Sequence, residues 1–234
     1  DMAKMKIEFL DHYKQRHGHT LKDRLVAHMP DYAHRASRVP WLMNLRNRLP
    51  GGAWLGEKLL GFSARRSLPE WRADTFWRAK ERTPGLFSSR EAVLSVHAAG
   101  GKAAVLFVDT FNGTFESGNA LAAARVLKAA GYALHTVEKG GGHHCCGRTF
   151  LASGMVAEAK LRAEALIDAL RPFAEAGIAV VGLEPSCLLT LRDEALVMGL
   201  GTKAETVAKQ ALLFEEFIAR ERKAGRLEPA LGPA

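Results

Sequence analysis

The stretch Ala103-Ala104-Val105-Leu106-Phe107-Val108-Asp109-Thr110-Phe111-Asn112-Gly113 joins a short apolar run to a polar turn. Such a run, placed directly after Gly100-Gly101, is typical of a strand that is buried on both faces. Asp109 follows at the carboxyl end of this predicted strand. Because ligands in open parallel sheets gather beyond the carboxyl ends of the strands, the turn after Val108 is a candidate position for a site.

Downstream of this stretch, predicted helices alternate with predicted strands. Apolar residues at helical spacing after Leu121 predict a helix that ends at Gly131, and residues 155–176 predict a longer one that Pro172 bends or ends. Two further apolar runs, Tyr132 to Val137 and Ile178 to Leu183, predict the other strands of the sheet. This alternation predicts an α/β fold, with a mostly parallel sheet that is covered by helices.

The last predicted helix begins at a capping box, Thr202-x-x-Glu205, and its inward face is predicted to carry Val207, Ala211, Phe214 and Ile218. We expect the cysteine-rich α/β domain to span residues 90–234. Residues 1–89 are interrupted by prolines and glycines and read as an irregular helical extension, a connector and cover rather than a domain. The simplest interpretation of the four tryptophans of this segment is that they pack onto the α/β domain rather than stack on a ligand. They are Trp41, Trp54, Trp71 and Trp77.

The charge of the 234-residue chain is unevenly distributed. Residues 1–90 contain 18 Lys and Arg against 9 Asp and Glu, whereas residues 91–234 contain 15 against 16. A solvated helical surface explains this excess better than a nucleic-acid interface, because no nucleic-acid-binding motif accompanies it. No apolar run is long enough to cross a bilayer, and the N-terminus does not resemble a signal peptide. Since the chain starts with Asp rather than Met, we expect a processed or excised piece.

Two of the three cysteines stand side by side in Gly140-Gly141-Gly142-His143-His144-Cys145-Cys146-Gly147-Arg148, and the third follows in Glu184-Pro185-Ser186-Cys187. An odd number of cysteines favours a reducing compartment over a secreted disulfide framework. Thiolates are soft ligands, suited to an iron–sulfur cluster or to zinc, although free cysteines also pack as small apolar residues. Because Cys145, Cys146, Cys187, Asp109 and Glu184 all follow predicted strands, we expect them to converge in one pocket.

The polar residues near the three cysteines can each be interpreted in two ways. Asp109 and Glu184 are either ligands or hydrogen-bonding turn residues. His143 and His144 are more simply explained as exposed loop residues, and His144 is the better candidate for a nitrogen ligand because it adjoins the thiols. Arg148 either begins the next helix or lowers the pKa of the thiols.

These motifs resemble a known family. The order of a strand ending in Asp, then His-Cys-Cys-Gly-Arg, then Leu-Glu-Pro-Ser-Cys is similar to the cysteine-rich CCG domain of FAD-linked D-lactate or glycolate dehydrogenases. It is also similar to the CCG domain of heterodisulfide reductase and of the iron–sulfur component of glycolate oxidase. The likeness covers roughly residues 85–225 and includes Phe107 to Phe111 and Ser153-Gly154. The full family pattern has five cysteines, and this chain has Asp109 and Glu184 at two of those positions.

The resemblance implies an electron-transfer module that passes electrons from a flavin domain to an acceptor. It implies an iron–sulfur cluster held by Cys145, Cys146, Cys187, Asp109 and Glu184, with zinc, aided by His144, or a metal-free docking domain as alternatives. The implied partners are the FAD-binding and ferredoxin-like cluster domains of a parent chain, a second CCG domain, and a quinone or cytochrome acceptor. The implied location is the cytoplasm, or the inner face of the membrane as a peripheral protein. FAD belongs to the parent only, so the fragment alone is expected to be inactive and to contribute no catalytic residue.

Overall fold

A computed structural model describes residues 2–140 and 142–227, and its central feature is a parallel sheet covered on both faces by helices. Four strands form the sheet in the order β2-β1-β3-β4, and all neighbouring pairs are parallel. The strands are β1 Ala103–Phe107, β2 Ala133–His135, β3 Ala179–Gly182 and β4 Ala211–Leu213. The predicted α/β class with a mostly parallel, helix-covered sheet is therefore confirmed.

The helices fall into two groups along the chain. Those that precede the sheet are α1 Met2–His17, α2 Leu21–Ala27, α3 Met29–Ala36, α4 Pro40–Met43, α5 Leu45–Arg48, α6 Gly52–Leu60, α7 Phe76–Glu81 and α8 Arg90–Ala98. Those that follow β1 are α9 Thr110–Thr114, α10 Ser117–Ala129, α11 Arg148–Ala152, α12 Val156–Glu175, α13 Pro185–Arg192, α14 Glu194–Val197, α15 Thr202–Gln210 and α16 Phe214–Lys223.

Alternate residues of the strands point to opposite cores, as the period of two requires. On one face, Val105, Phe107 and Val180 pack with apolar residues of α8, α12, α13 and α15. On the other face, Leu106 and Val181 pack with residues of α7, α10 and α16. The sheet is therefore the middle layer of three, and its carboxyl edge opens toward the loops that follow β1, β2 and β3.

Two predictions about the C-terminal part are wrong. Thr202 and Glu205 do not form a capping box, because Gly201 occupies the N-cap position of α15 and makes no side-chain cap. The predicted continuous helix is interrupted after Gln210 by the edge strand β4, and a new helix begins at Phe214. The long helix predicted over residues 155–176 is observed as α12, and Pro172 lies inside it, three residues before its end at Glu175.

The N-terminal 89 residues share apolar clusters with the rest of the chain. Phe76, Trp77 and Leu86 belong to the core on one face of the sheet, and Ala27 packs with residues of α11 and α12. Trp71 packs beside Phe115, with ring centroids 4.8 Å apart. The tryptophans therefore do not behave alike: two are buried, whereas Trp41 and Trp54 are 63% and 61% exposed.

Candidate functional site

The three thiols are brought together by the loops that leave β2 and β3. After β2, a short antiparallel bridge joins Lys139 and Gly142, and the chain then runs through Cys145 and Cys146 into α11. Gly147 turns the backbone there with φ 89°, and its N–H donates to the sulfur of Cys145 at 3.3 Å. After β3, Cys187 lies in the first turn of α13.

The three thiols lie close to one another. Cys145 and Cys146 are adjacent in the chain, and Cys146 and Cys187 belong to the same buried core cluster. Each thiol affects the next, since Cys146 raises the pKa of Cys145 and Cys187 raises the pKa of Cys146. Cys146 and Cys187 are buried, whereas Cys145 is partly exposed. The structure thus unites the sulfur atoms of residues that are far apart in sequence, at the carboxyl edge of the sheet.

The surroundings of these thiols favour the protonated form. The neighbouring Cys146 thiol, together with burial, raises the pKa of Cys145 far above its usual range. Cys145 lowers the pKa of Cys146, but Cys187 and burial raise it by more, so this pKa lies well above its ordinary value. Such thiols are poor nucleophiles at neutral pH, and they become strong ligands only when a metal displaces their protons.

Asp109 is used as a helix cap. One carboxylate oxygen accepts hydrogen bonds from the N–H groups of Phe111 at 2.8 Å and of Asn112 at 3.2 Å, and the other accepts from the side-chain amide of Asn112 at 2.7 Å. The residue is buried, and this burial raises the pKa of its carboxyl group despite the hydrogen bonds. The sequence leaves Asp109 open as a ligand or as a hydrogen-bonding turn residue, and the structure shows the hydrogen-bonding role.

Glu184 plays the same part at the end of β3. Its carboxylate accepts from the backbone N–H of Ser186 at 3.3 Å and from the Ser186 hydroxyl at 2.7 Å. It lies near enough to Asp109 for its negative charge to raise the pKa of that carboxyl group further. Asp109 and Glu184 therefore both cap the helices that follow their strands.

The fit to a metal is consequently limited to the thiols. Within residues 2–140 and 142–227, no group of three or more His, Cys, Asp or Glu side chains is arranged to hold a metal ion. The donor chemistry of Cys145, Cys146 and Cys187 suits a soft metal or an iron–sulfur cluster. The carboxylates fit poorly, because Asp109 would have to leave a buried cap in order to bind.

The expectation that His143 and His144 are exposed is wrong, because both are partly buried. His143 lies 2.6 Å from the Thr110 hydroxyl through its Nε2 atom, and burial lowers its pKa to about 4. Burial also lowers the pKa of His144, and the charge of Lys139 adds to this effect. Both imidazoles are therefore neutral at pH 7.

Arg148 does begin a helix, since it is the first residue of α11. Its guanidinium forms an ion pair with Glu194. A hydrogen bond from the Arg148 backbone does lower the pKa of Cys146, but Cys187 and burial outweigh this effect, and the pKa of that thiol is raised.

A polar cleft of ≈ 370 Å³ opens beside Cys145. Its walls come from α3, from the loop after β2 and from α12, and the lining includes Asp31, His34, Arg35, Lys139, His143, His144, Cys145 and Arg162. Sequence reasoning missed the contributions of α3 and α12. The excess of Lys and Arg among residues 1–90 was the available signal, but it does not show which bases face the cysteine loop.

Comparison of the chain with protein-family models, with curated proteins and with solved structures found no match. The likeness to the CCG domain therefore rests on the motifs themselves.

Proposed function

We propose that the chain is a cysteine-rich electron-transfer module of a FAD-linked 2-hydroxy-acid dehydrogenase, of the D-lactate or glycolate type. The observation that carries this proposal is the proximity of the three thiols: Cys145 and Cys146 are adjacent, and Cys146 packs in the same buried cluster as Cys187. In this proposal the three sulfur atoms hold an iron–sulfur cluster, which supplies one-electron transfer when bound. Burial of Cys146 and Cys187 keeps water from two of the three sulfur atoms.

The first experiment is anaerobic purification and reconstitution, followed by counts of iron, sulfide and zinc. We expect iron and sulfide in the natural protein, and loss of both in Cys146→Ser and Cys187→Ser. Asp109→Asn serves as the matched control, because it changes a residue at a cysteine position of the family without removing a thiol. A protein that takes up neither metal under these conditions overturns the proposal.

Zinc is the alternative metal for the same thiols, with His144 or a carboxylate as the fourth ligand. The same counts separate the two cases, since zinc without sulfide identifies a zinc module. The helix caps at Asp109 and Glu184 favour a third candidate, a metal-free docking domain, because both carboxylates already accept hydrogen bonds from the first residues of the helices that they cap.

The exposed side of α1 supports docking to the FAD-binding and ferredoxin-like domains of a parent chain. Met2, Met5 and Phe9 recur at helical spacing and are 78%, 61% and 66% exposed. We propose that this apolar face contacts one of those domains, with a second CCG domain and a quinone or cytochrome acceptor as further partners. Because hydride removal from a 2-hydroxy acid requires FAD, the isolated chain should not oxidise lactate or glycolate with an artificial acceptor.

We further propose a cytoplasmic protein that is peripheral at the inner face of the membrane. No helix among the described residues is long and apolar enough to cross a bilayer. The support comes from residues 35–72, where eight Lys and Arg stand against two Glu and where Trp41, Trp54 and Leu59 are 63%, 61% and 67% exposed. Exposed tryptophan and leucine beside basic residues are typical of surfaces that bind anionic lipid. Co-sedimentation with phosphatidylglycerol vesicles tests this proposal. We expect the natural protein to sediment with the vesicles and the double variant Trp41→Ser/Trp54→Ser to stay in the supernatant.

A further inference from the structure

The cleft beside Cys145 has the size of a small-molecule site. Its volume of ≈ 370 Å³ falls at the lower end of the range of about 300–1,000 Å³ that is usual for ligand pockets. Its walls belong to parts of the chain that are distant in sequence: Arg35 comes from α3, Lys139 from the loop after β2, and Arg162 from α12. A ligand in this cleft would therefore meet basic side chains from three sides.

The positive charge of the cleft is only partly compensated. Asp31, the one carboxylate among the described residues that line it, is shared by Arg162 at 2.9 Å and by His28 at 2.9 Å. No ion pair of Arg35 or Lys139 is found among the residues that the structure describes. Two cations thus face the same opening without a negative partner.

The remaining polar lining consists of groups that can donate hydrogen bonds. His34, His143 and His144 line the cleft, and the contact between His143 Nε2 and the Thr110 hydroxyl holds that ring in place. Guanidinium groups pair with carboxylate or phosphate oxygens through two parallel hydrogen bonds, and an ammonium group adds a point charge. This combination of cations and hydrogen-bond donors is suited to oxygen-rich anions.

We propose that the cleft between α3, the loop after β2 and α12 binds a small organic dicarboxylate, with Arg35 and Lys139 as its principal charge partners. Two separate cations match two carboxylate groups, and the cleft is roomier than a single inorganic oxyanion requires. Arg162 contributes less, because Asp31 already occupies part of its guanidinium. This site needs no metal, and its principal charge partners, Arg35 and Lys139, take no part in the function proposed for the thiols.

Isothermal titration calorimetry of the natural protein with succinate tests the proposal, with inorganic phosphate and the uncharged succinamide as comparison probes. Arg35→Gln and Lys139→Gln should each weaken succinate binding about tenfold, as expected for loss of one charge-assisted hydrogen bond. Arg125→Gln and Lys128→Gln are the matched controls, since both residues are exposed on α10, and they should leave the affinity within about twofold. Circular dichroism checks that each variant is folded.

Saturable succinate binding that falls in the two cleft variants and not in the controls supports the site. Absence of saturable succinate binding, equal loss in cleft and control variants, or binding of succinamide as tight as that of succinate overturns it. If phosphate binds saturably and succinate does not, the cleft is an inorganic oxyanion site and the dicarboxylate assignment is wrong. Cys187→Ser should keep succinate binding, so failure of the thiol proposal and failure of this one remain distinguishable.

Discussion

Glu221 carries a buried negative charge that is almost completely paired. Its carboxylate accepts two hydrogen bonds from Arg226, at 2.7 and 2.8 Å, and one from the Tyr132 hydroxyl at 2.7 Å. The hydrogen bonds with Arg226 are the main reason that its pKa falls from 4.5 to about 2, against the opposing effect of burial. The ionised form is therefore favoured in the folded protein.

A lowered pKa sets the direction of the pH effect. The stabilisation from Glu221 is complete above pH 4.5 and is lost as the pH falls toward 2. We expect Glu221→Gln to lower the free energy of unfolding by about 2 kcal/mol at pH 7 and by much less at pH 3. The value at pH 7 is smaller than the full pKa shift would give, because Arg226 is half exposed and solvent screens its charge. Urea unfolding at both pH values measures this. Glu215→Gln, on the exposed side of α16, should change little, and an equal loss at both pH values would contradict the argument.

Asp109 and Glu184 allow a separate test of caps against ligands. Asp109→Ala removes the acceptor for two backbone N–H groups and for the Asn112 amide, so we expect a loss of about 2 kcal/mol of stability. Glu184→Ala, which removes a less buried cap, should cost about 0.5–1 kcal/mol. Thermal unfolding measures both changes. Metal content after reconstitution should stay as in the natural protein, and a loss of bound iron in either variant would show that the carboxylates are ligands.

At the scale of the element, the cysteine loop depends on a close approach to α12. A Cβ at Gly147 would lie 2.6 Å from the carbonyl oxygen of Ala159, and the residue has φ 89°. We expect Gly147→Ala to destabilise the protein by about 2–3 kcal/mol, because the new methyl group meets rigid backbone and the conformation is strained. Gly140→Ala, where φ is 58° and a Cβ would meet nothing within 4 Å, isolates the conformational cost and should lose only about 1 kcal/mol. Equal losses in the two variants would contradict the packing argument.

The strands and helices that could be predicted are those whose signal lies within one element. The apolar runs of β1 and β3 identify buried strands without reference to the rest of the chain. β4 was missed because its residues continue the helical spacing of Val207, Ala211, Phe214 and Ile218. It becomes a strand through backbone pairing with β3, with Val180 beside Ala211, and such pairing is a tertiary effect that local sequence does not encode.

The candidate site likewise contains some features that follow from the sequence and others that depend on tertiary structure. Because Cys145, Cys146 and Cys187 follow strands that meet at one edge of the sheet, their proximity could be reasoned from topology. The sequence leaves Asp109 and Glu184 open between ligand and helix cap, because the difference lies in their hydrogen bonds to backbone N–H groups. Arg35 could not be placed at all, since its position depends on how α3 packs across the chain.

The whole molecule depends on its N-terminal cover. Phe76, Trp77 and Leu86 complete one of the two cores beside Leu106 and Leu127, and Ser88 donates a backbone hydrogen bond of 2.7 Å to Leu134 of β2. Removal of residues 1–89 would expose one face of the sheet, which has four strands in the part of the chain that the structure describes. The apolar surface that returns to water would outweigh the small net stability that a domain of this size normally has.

We therefore expect a chain shortened to residues 90–234 to lose cooperative unfolding and to aggregate, as judged by calorimetry and light scattering. Trp41→Ser/Trp54→Ser is the matched change within the same segment, and it should keep the melting temperature within about 2 °C, because both side chains are more than half exposed. If the shortened chain instead gives a sharp thermal transition, the first 89 residues are a dispensable attachment. The sheet would then be stable with one face covered only by α10 and α16.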